Sequence, residues 1–249
     1  MYVHEPIYDI DELARQNLHI HTNFSKCARE EMTLSAILRA AEAADLEIIA
    51  ITDHFNNDNT DKQCVERYEQ LRMQYREEKT PVMVLFGSEF SLYGVGKSLE
   101  KEKTRLRMDY RLYAPNHYHL DYWEHPEDKS PRGYALHGYE MIKDLILNNK
   151  EVDCIAHPFT GRYIGSLEDQ NSVSAALTDN ELGELFTLGR EHGVAFEFNY
   201  FSVYSNPEFA KRMWNIGKET GACFNFGMDC HWLSMVDTKP LAELMKKIV

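Results

Sequence analysis

The stretch Glu47-Ile48-Ile49-Ala50-Ile51-Thr52-Asp53-His54 is a nearly unbroken apolar run closed by two ionisable residues. A run without polar alternation marks a strand covered on both faces, as in a parallel sheet flanked by helices. The same form repeats on either side of it. Upstream, Asn17-Leu18-His19-Ile20-His21-Thr22 ends in two histidines one residue apart, and in an extended strand both can face one metal ion. Downstream, Val82 to Glu89 ends in a carboxylate, Val152 to Ala156 leads to His157-Pro158, and Ala222 to Gly227 leads to Asp229-Cys230-His231. Two more strands are expected at Asp109 to Ala114, which leaves into Asn116-His117-Tyr118-His119, and at Val194 to Asn199.

Helical patterns fill the intervals. Thr33 stands as an N-cap before Leu34, Ile37, Leu38, Ala41 and Ala44, an amphipathic spacing. Further helices are expected at Thr60–Arg76, Tyr134–Asn148 (with Leu136, Met141, Leu145 and Ile146 inward), Asp179–His192, Pro207–Thr220 and Pro240–Val249. Ser91 to Arg107 is charged and aperiodic, an inserted loop or hairpin, and Pro126 to Pro131 reads as an exposed connection. No internal repeat, low-complexity tract or linker interrupts the series. About seven β/α units in one α/β domain over residues 1–249 are therefore expected.

Composition narrows the function. The 249 residues carry 27 Lys and Arg against 40 Asp and Glu, a net charge of −13 that repels phosphate backbones and makes nucleic acid an unexpected partner. Five cysteines (Cys27, Cys64, Cys154, Cys223, Cys230) form no C-x-x-C pair, and the odd count suits a reducing compartment. Met1 to Gln16 is acidic and lacks the apolar core of a signal peptide, and no run approaches the roughly 18 apolar residues of a membrane span. A soluble, cytoplasmic protein is expected; nothing points to an oligomeric state.

The chemistry lies in position. His19/His21, Asp53/His54, Glu89, His157 and Asp229/His231 all stand at the ends of predicted strands. In a parallel barrel those ends meet on a single face, where barrel active sites are built. Neutral imidazole and carboxylate are donors for zinc, manganese and iron, and a carboxylate such as Glu89 can bridge two ions. These donors exceed what one catalytic ion uses, so two or three divalent ions are expected.

The ordered motifs H-x-H (His19, His21), I-T-D-H (Ile51 to His54), the strand-ending Glu89, H-P (His157, Pro158) and D-x-H (Asp229 to His231) give the chain a resemblance, over nearly its whole length, to the polymerase and histidinol phosphatase (PHP) family. The resemblance implies a distorted seven-stranded TIM-like (β/α) barrel that hydrolyses phosphate esters with up to three metals. It also implies a ligand set. His19, His21, Glu89 and Asp229 would hold the first ion, with Glu89 bridging to a second held by His157 and either His117 or His119. His117 is favoured, since Tyr118 after it resembles the family's histidine-aromatic pair. His54 and His231 would hold the third ion with the residue six positions after His21. That residue is Cys27, where other members carry His or Asp. A thiolate suits zinc better than harder ions; the alternative for Cys27 is a buried loop thiol.

Asp53 is read as orienting an imidazole, carrying a proton or fixing its loop. Glu197 and Asn199 line the pocket or are satisfied interior polar groups. Arg162 is the candidate to grip the substrate phosphate with a bidentate fork, with Lys26 a second cation nearby. His125 and His137 fall in a connection and a helix and suit surface or core roles, while His4 and His192 belong to no motif. The implied reaction is hydrolysis of a small-molecule phosphate monoester by a metal-activated water, histidinol phosphate being one possibility. Alternatives are a phosphodiesterase acting on nucleotides or short nucleic acid, and a non-catalytic metal-binding barrel. Amidohydrolases open with a similar H-x-H but bridge their metals with a lysine where Glu89 stands here. No G-x-S-x-G, C-x5-R or P-loop motif supplies a covalent nucleophile. Substrate choice is expected to lie in Ser91 to Arg107 and His119 to Arg132, with Tyr122 and Trp123 covering the pocket or packing on the barrel.

Overall fold

Seven parallel strands form one sheet that curls into a nearly closed barrel. The computed structural model describes residues 4–149 and 151–249, so Met1 to Val3 of the acidic N-terminal stretch lie outside the described residues. In chain order the strands are β1 (Gln16–Ile20), β2 (Ile48–Phe55), β3 (Met83–Gly94), β4 (Lys97–Ser98), β5 (Tyr110–Ala114), β6 (Cys154–Ile155), β7 (Ala195–Asn199) and β8 (Phe224–Gly227). All pair in sequence order except β4, which folds back antiparallel on β3. Closure comes from the chain just beyond β8: His21 N donates to Cys230 O (3.0 Å) and Cys230 N donates to His19 O (3.1 Å).

The helices are α1 (Ile10–Leu13), α2 (Leu34–Ala43), α3 (Asp61–Glu77), α4 (Glu102–Arg105), α5 (Pro131–Asn148), α6 (Ser172–Ala175), α7 (Asp179–His192), α8 (Tyr200–Ser205), α9 (Pro207–Thr220) and α10 (Lys239–Ile248). Their starts follow from caps. Thr33 accepts from Ala36 N, and Thr60 and Thr178 form capping boxes with Gln63 and Glu181. Gly193 and Gly221 stop α7 and α9 in the left-handed region, at φ 71° and 75°. Among the described residues no helix is long and apolar enough to cross a membrane.

Two cores result. Leu18, Ile48, Ala50, Leu85, Leu112 and Ala195 fill the barrel, while Ile49, Ile51, Phe86 and Phe196 face the helices. The alternation along β2 is what splits them. In β1 the alternation breaks: Asn17 pairs with Ile49 but Ile20 with Ile51, so β1 carries one extra residue. This bulge lets Leu18 enter the barrel core while Ile20 still packs outward, and it leaves His19 and His21 facing inward.

Three sequence expectations need correction. β3 runs five residues beyond Glu89 because its end turns back as a hairpin with β4, so Glu89 lies within the strand, in register with His54 of β2 and Leu112 of β5. Asp53 and His54 likewise lie inside β2. On α5, Met141, Leu145 and Ile146 are buried, but Leu136 is 37% exposed. It shares the outward stripe with Glu140, Lys143 and Leu147, each three or four residues from the last.

Candidate metal centre

Glu89 sits among five histidines drawn from four segments. Its Oε2 lies 2.6 Å from His54 Nδ1 and 3.6 Å from both His19 Nε2 and His21 Nε2. Its Oε1 lies 3.1 Å from His157 Nε2 and 3.6 Å from His117 Nε2. Asp229 closes one side, with Oδ1 3.1 Å from His21 Nε2 and 3.5 Å from His19 Nε2. His231 Nε2 lies 3.0 Å from Cys27 Sγ, and its ring stacks 4.4 Å from that of His21. Three overlapping groups bring donor atoms within 4.8 Å of one another: His19, His21 and Asp229; His19, Glu89 and His157; His21, His54 and His231.

This arrangement fits cations better than it fits hydrogen bonding. His19 Nδ1 donates to Glu197 Oε1 (2.7 Å), so Nε2 is the ring nitrogen left to face the cluster, only 3.1 Å from His21 Nε2. Glu89 Oε2 and His54 Nδ1 are close but not aligned, and neither has a hydrogen-bond partner among the described residues. Buried lone pairs facing one another are costly unless a positive charge lies between them. Burial pushes the Glu89 carboxyl up, yet His54 and His19, whose own pKa values the surrounding carboxylates hold well above the usual imidazole range, keep it well below the usual carboxylate range. Burial drives His21 and His117 down to about 3, so both stay neutral, the form that ligates metal.

Local backbone serves the same end. His157 (φ 29°) and Asp229 (φ 50°) both adopt left-handed conformations that cost a non-glycine residue energy. The His157 peptide is clamped on both sides: its N–H donates to Glu197 Oε2 (2.6 Å) and its carbonyl accepts from Asn116 Nδ2 (2.7 Å). Asp229 O accepts from His231 Nδ1 (2.8 Å).

The remaining candidates fall around this cluster. His117 faces Glu89, whereas His119 lies farther out with its ring 4.5 Å from Tyr163. Cys27 is exposed rather than a buried loop thiol. Asp53 points away from the cluster, accepting from Thr22 N (2.8 Å), Thr22 Oγ1 (2.6 Å) and Ser25 Oγ (2.7 Å). Ser25 Oγ in turn lies 3.4 Å from His21 Nδ1 and accepts from His54 N (3.2 Å). Arg162 is exposed, with its guanidinium 4.8 Å from the Phe201 ring centre and 5.4 Å from that of Tyr163. His125 and His137 pair with the hydroxyls of Tyr134 and Tyr118 at 2.9 Å each, and exposed His4 meets Asp153 at 3.1 Å.

A cleft of about 270 Å³ opens onto His54, His117, Asp229, His231 and Cys27. Its walls carry Phe24, His119, Leu120 and Tyr163, with Lys26 and half-buried Arg67 as cations. Arg67 escaped the sequence reading because it lies in the polar pattern of α3, where arginines are ordinarily solvated. Asn116 and Ser25 escaped it too; their roles depend on contacts 41 and 28 residues away in the chain. Trp123 is buried against His117, and Tyr122 bonds Ser91 Oγ (2.9 Å), so these aromatics pack on the barrel.

A family model described as PHP domain matches residues 17–200. The D-x-H motif lies beyond that range, yet the fold returns it to the same site. The structure is similar to histidinol phosphate phosphatase from Lactococcus lactis subsp. lactis Il1403, solved with zinc, L-histidinol and phosphate, at 15% identity and TM-score 0.57, covering 94% of this chain and 93% of that one. It is similar also to a putative histidinol phosphatase from Listeria monocytogenes (15% identity, TM-score 0.59, 88% and 96% covered). A chain of archaeal ribonuclease P with mature tRNA matches at 14% identity and TM-score 0.51, covering 93% and 87%. At these identities the likeness is one of fold. Comparison with curated proteins gives no match.

Proposed function

This chain belongs to the PHP domain family, and on that premise we propose that it is a metal-dependent phosphatase that hydrolyses the phosphate monoester of a small molecule at a centre of two or three divalent ions. The observation that carries the reading is the convergence of buried, hydrogen-bond-deficient donors on Glu89 at the floor of a small cleft. His19, His21, Asp229 and Glu89 would hold one ion, and Glu89, His117 and His157 a second. His54, His231 and Cys27 would hold a third, and the thiolate in that set favours zinc over manganese or iron. When bound, such ions supply the positive charge that brings the pKa of a coordinated water towards neutrality and offsets the charge of the phosphoryl oxygens.

The protein's own groups divide the other tasks. Arg67 lines the cleft and attracts the anionic substrate, Lys26 beside it is paired with Asp58, and Arg162, exposed near Tyr163, can reach a substrate only from outside the cleft. Asp53, its oxygens already accepting three hydrogen bonds, holds the loop carrying Ser25 against His21 and His54. It therefore acts by position rather than by carrying a proton. The cleft volume of about 270 Å³ suits a small ester. A formal charge of −13 disfavours polymeric nucleic acid. The Lactococcus lactis protein was solved with L-histidinol and phosphate, which supports histidinol phosphate as one candidate. One domain carries the whole activity in this reading. Five free thiols, one of them beside the metal donors, suit the cytoplasm.

Comparing p-nitrophenyl phosphate with its bis-ester, on protein loaded in turn with zinc, manganese and iron, tests the substrate class. Turnover of the monoester in preference to the bis-ester is expected. Preference for the bis-ester would move the reading to a phosphodiesterase acting on nucleotides.

A further inference from the structure

We propose that Glu197 is a positioning residue that ties the two halves of the metal core together. One carboxylate oxygen fixes the His19 ring and the other holds the His157 peptide. The inference rests on reading His19 and His157 as metal donors.

Glu197 is the middle residue of β7, with its side chain 2% exposed. Its Oε1 accepts from His19 Nδ1 at 2.7 Å. That bond places the ring proton on Nδ1 and turns the Nε2 lone pair towards Glu89 and Asp229. Its Oε2 accepts the His157 N–H at 2.6 Å, with Asn199 Nδ2 more distant at 3.5 Å. His157 needs this support, because φ 29° is a conformation its side chain does not favour. The rings of His19 and His157 then stack with centres 5.7 Å apart, presenting Nε2 atoms to the same carboxylate, Glu89.

Two features separate this from ordinary core filling. Among the described residues no lysine or arginine pairs with Glu197, so a carboxylate has been buried where a neutral or apolar group would cost less. The neighbouring strand also yields space for it. A Cβ at Gly227 would fall 1.8 Å from Glu197 Oε1 and 2.8 Å from His19 Cβ, so any side chain there would displace the carboxylate. The donor geometry thus depends on Glu197 and Gly227 together.

Glu197→Gln is the informative variant, because its amide can accept one of the two hydrogen bonds but must present N–H to the other donor. Zinc affinity would be measured by chelator competition for the wild type, Glu197→Gln, His19→Ala and the double variant, beside circular dichroism of each metal-free protein. Glu197→Gln is expected to keep its metal-free fold and weaken the tightest zinc site by roughly 10- to 100-fold. Removing His19 in that background should add far less than it does in the wild type. A variant that fails to fold leaves a measurement on the wild type itself: nitrogen-15 histidine NMR of the zinc-loaded protein, with the His19 signal identified by its loss in His19→Gln. A proton on His19 Nδ1 is expected. Wild-type zinc affinity in Glu197→Gln, full additivity with His19→Ala, or an unprotonated Nδ1 each overturns the inference alone. A wild-type protein that takes up none of zinc, manganese or iron overturns the metal-centre reading itself.

Discussion

Cys27 Sγ lies 3.0 Å from His231 Nε2, although 204 residues separate the two in the chain. The loop after β1 and the turn after β8 are held side by side by the bond from Arg29 N to His231 O (2.9 Å). Partial burial raises the thiol's pKa, but hydrogen bonds from His231 and His54 outweigh it and bring the group down to about 7. The other four cysteines are buried, and burial pushes all of their thiols up, Cys64 to about 11.

Selective alkylation follows from that contrast. In metal-free protein, iodoacetamide should label Cys27 with a rate that rises as pH passes upward through about 7, where the thiol gives way to thiolate, and leave the other four unlabelled. Saturating zinc should suppress the labelling. Peptide mass spectrometry reads both effects. Labelling indifferent to zinc would remove Cys27 from the third subsite.

Arg67 and Arg162 make opposite demands on kinetics. Arg67 lines the cleft, whereas Arg162 is exposed and stacked against Phe201. A lost charge-assisted hydrogen bond costs about 1.5–3 kcal/mol, so Arg67→Met should raise KM by roughly 10- to 100-fold. Arg162→Met should change it much less. Steady-state kinetics with a small phosphomonoester decides the point, and the reverse order would return the phosphate grip to Arg162.

Packing outside the site offers a separate check. A Cβ at Gly217 of α9 would lie 2.2 and 2.3 Å from Cε2 and Cζ of buried Phe224. Overpacking of that kind costs about 1–3 kcal/mol, and alanine's better helix propensity returns up to about 1 kcal/mol. Gly217→Ala should therefore lose roughly 1–2 kcal/mol in denaturant unfolding, with the zinc content unchanged. A variant as stable as the wild type would contradict this close approach of α9 to β8.

What the chain spells out locally could be read from it, and what depends on distant contacts could not. Asp179–His192 and Pro207–Thr220 are helices over the residues expected, because Thr178, Asn206, Gly193 and Gly221 punctuate them. Strand ends were less legible: nothing near Glu89 announces that β3 continues into a hairpin, and the β1 bulge appears only when β1 is laid on β2. At the site, donor types and their order were visible, since ligands follow buried runs. The support around them was not. Glu197 meets His19 across 178 residues, and Arg67 enters the cleft from a helix whose pattern reads as solvated surface.

The central claim is that Glu89 organises a catalytic metal cluster, and the most direct test measures metal content and phosphatase activity on the same samples of wild type and Glu89→Ala. Wild-type protein should carry two to three equivalents of divalent metal. Glu89→Ala should lose at least one equivalent and more than about 100-fold of the activity, beyond the roughly 10- to 100-fold typical of losing a group that only supports a ligand. Metal-free wild-type protein that is fully active, or a Glu89→Ala variant with wild-type metal and turnover, would contradict the claim.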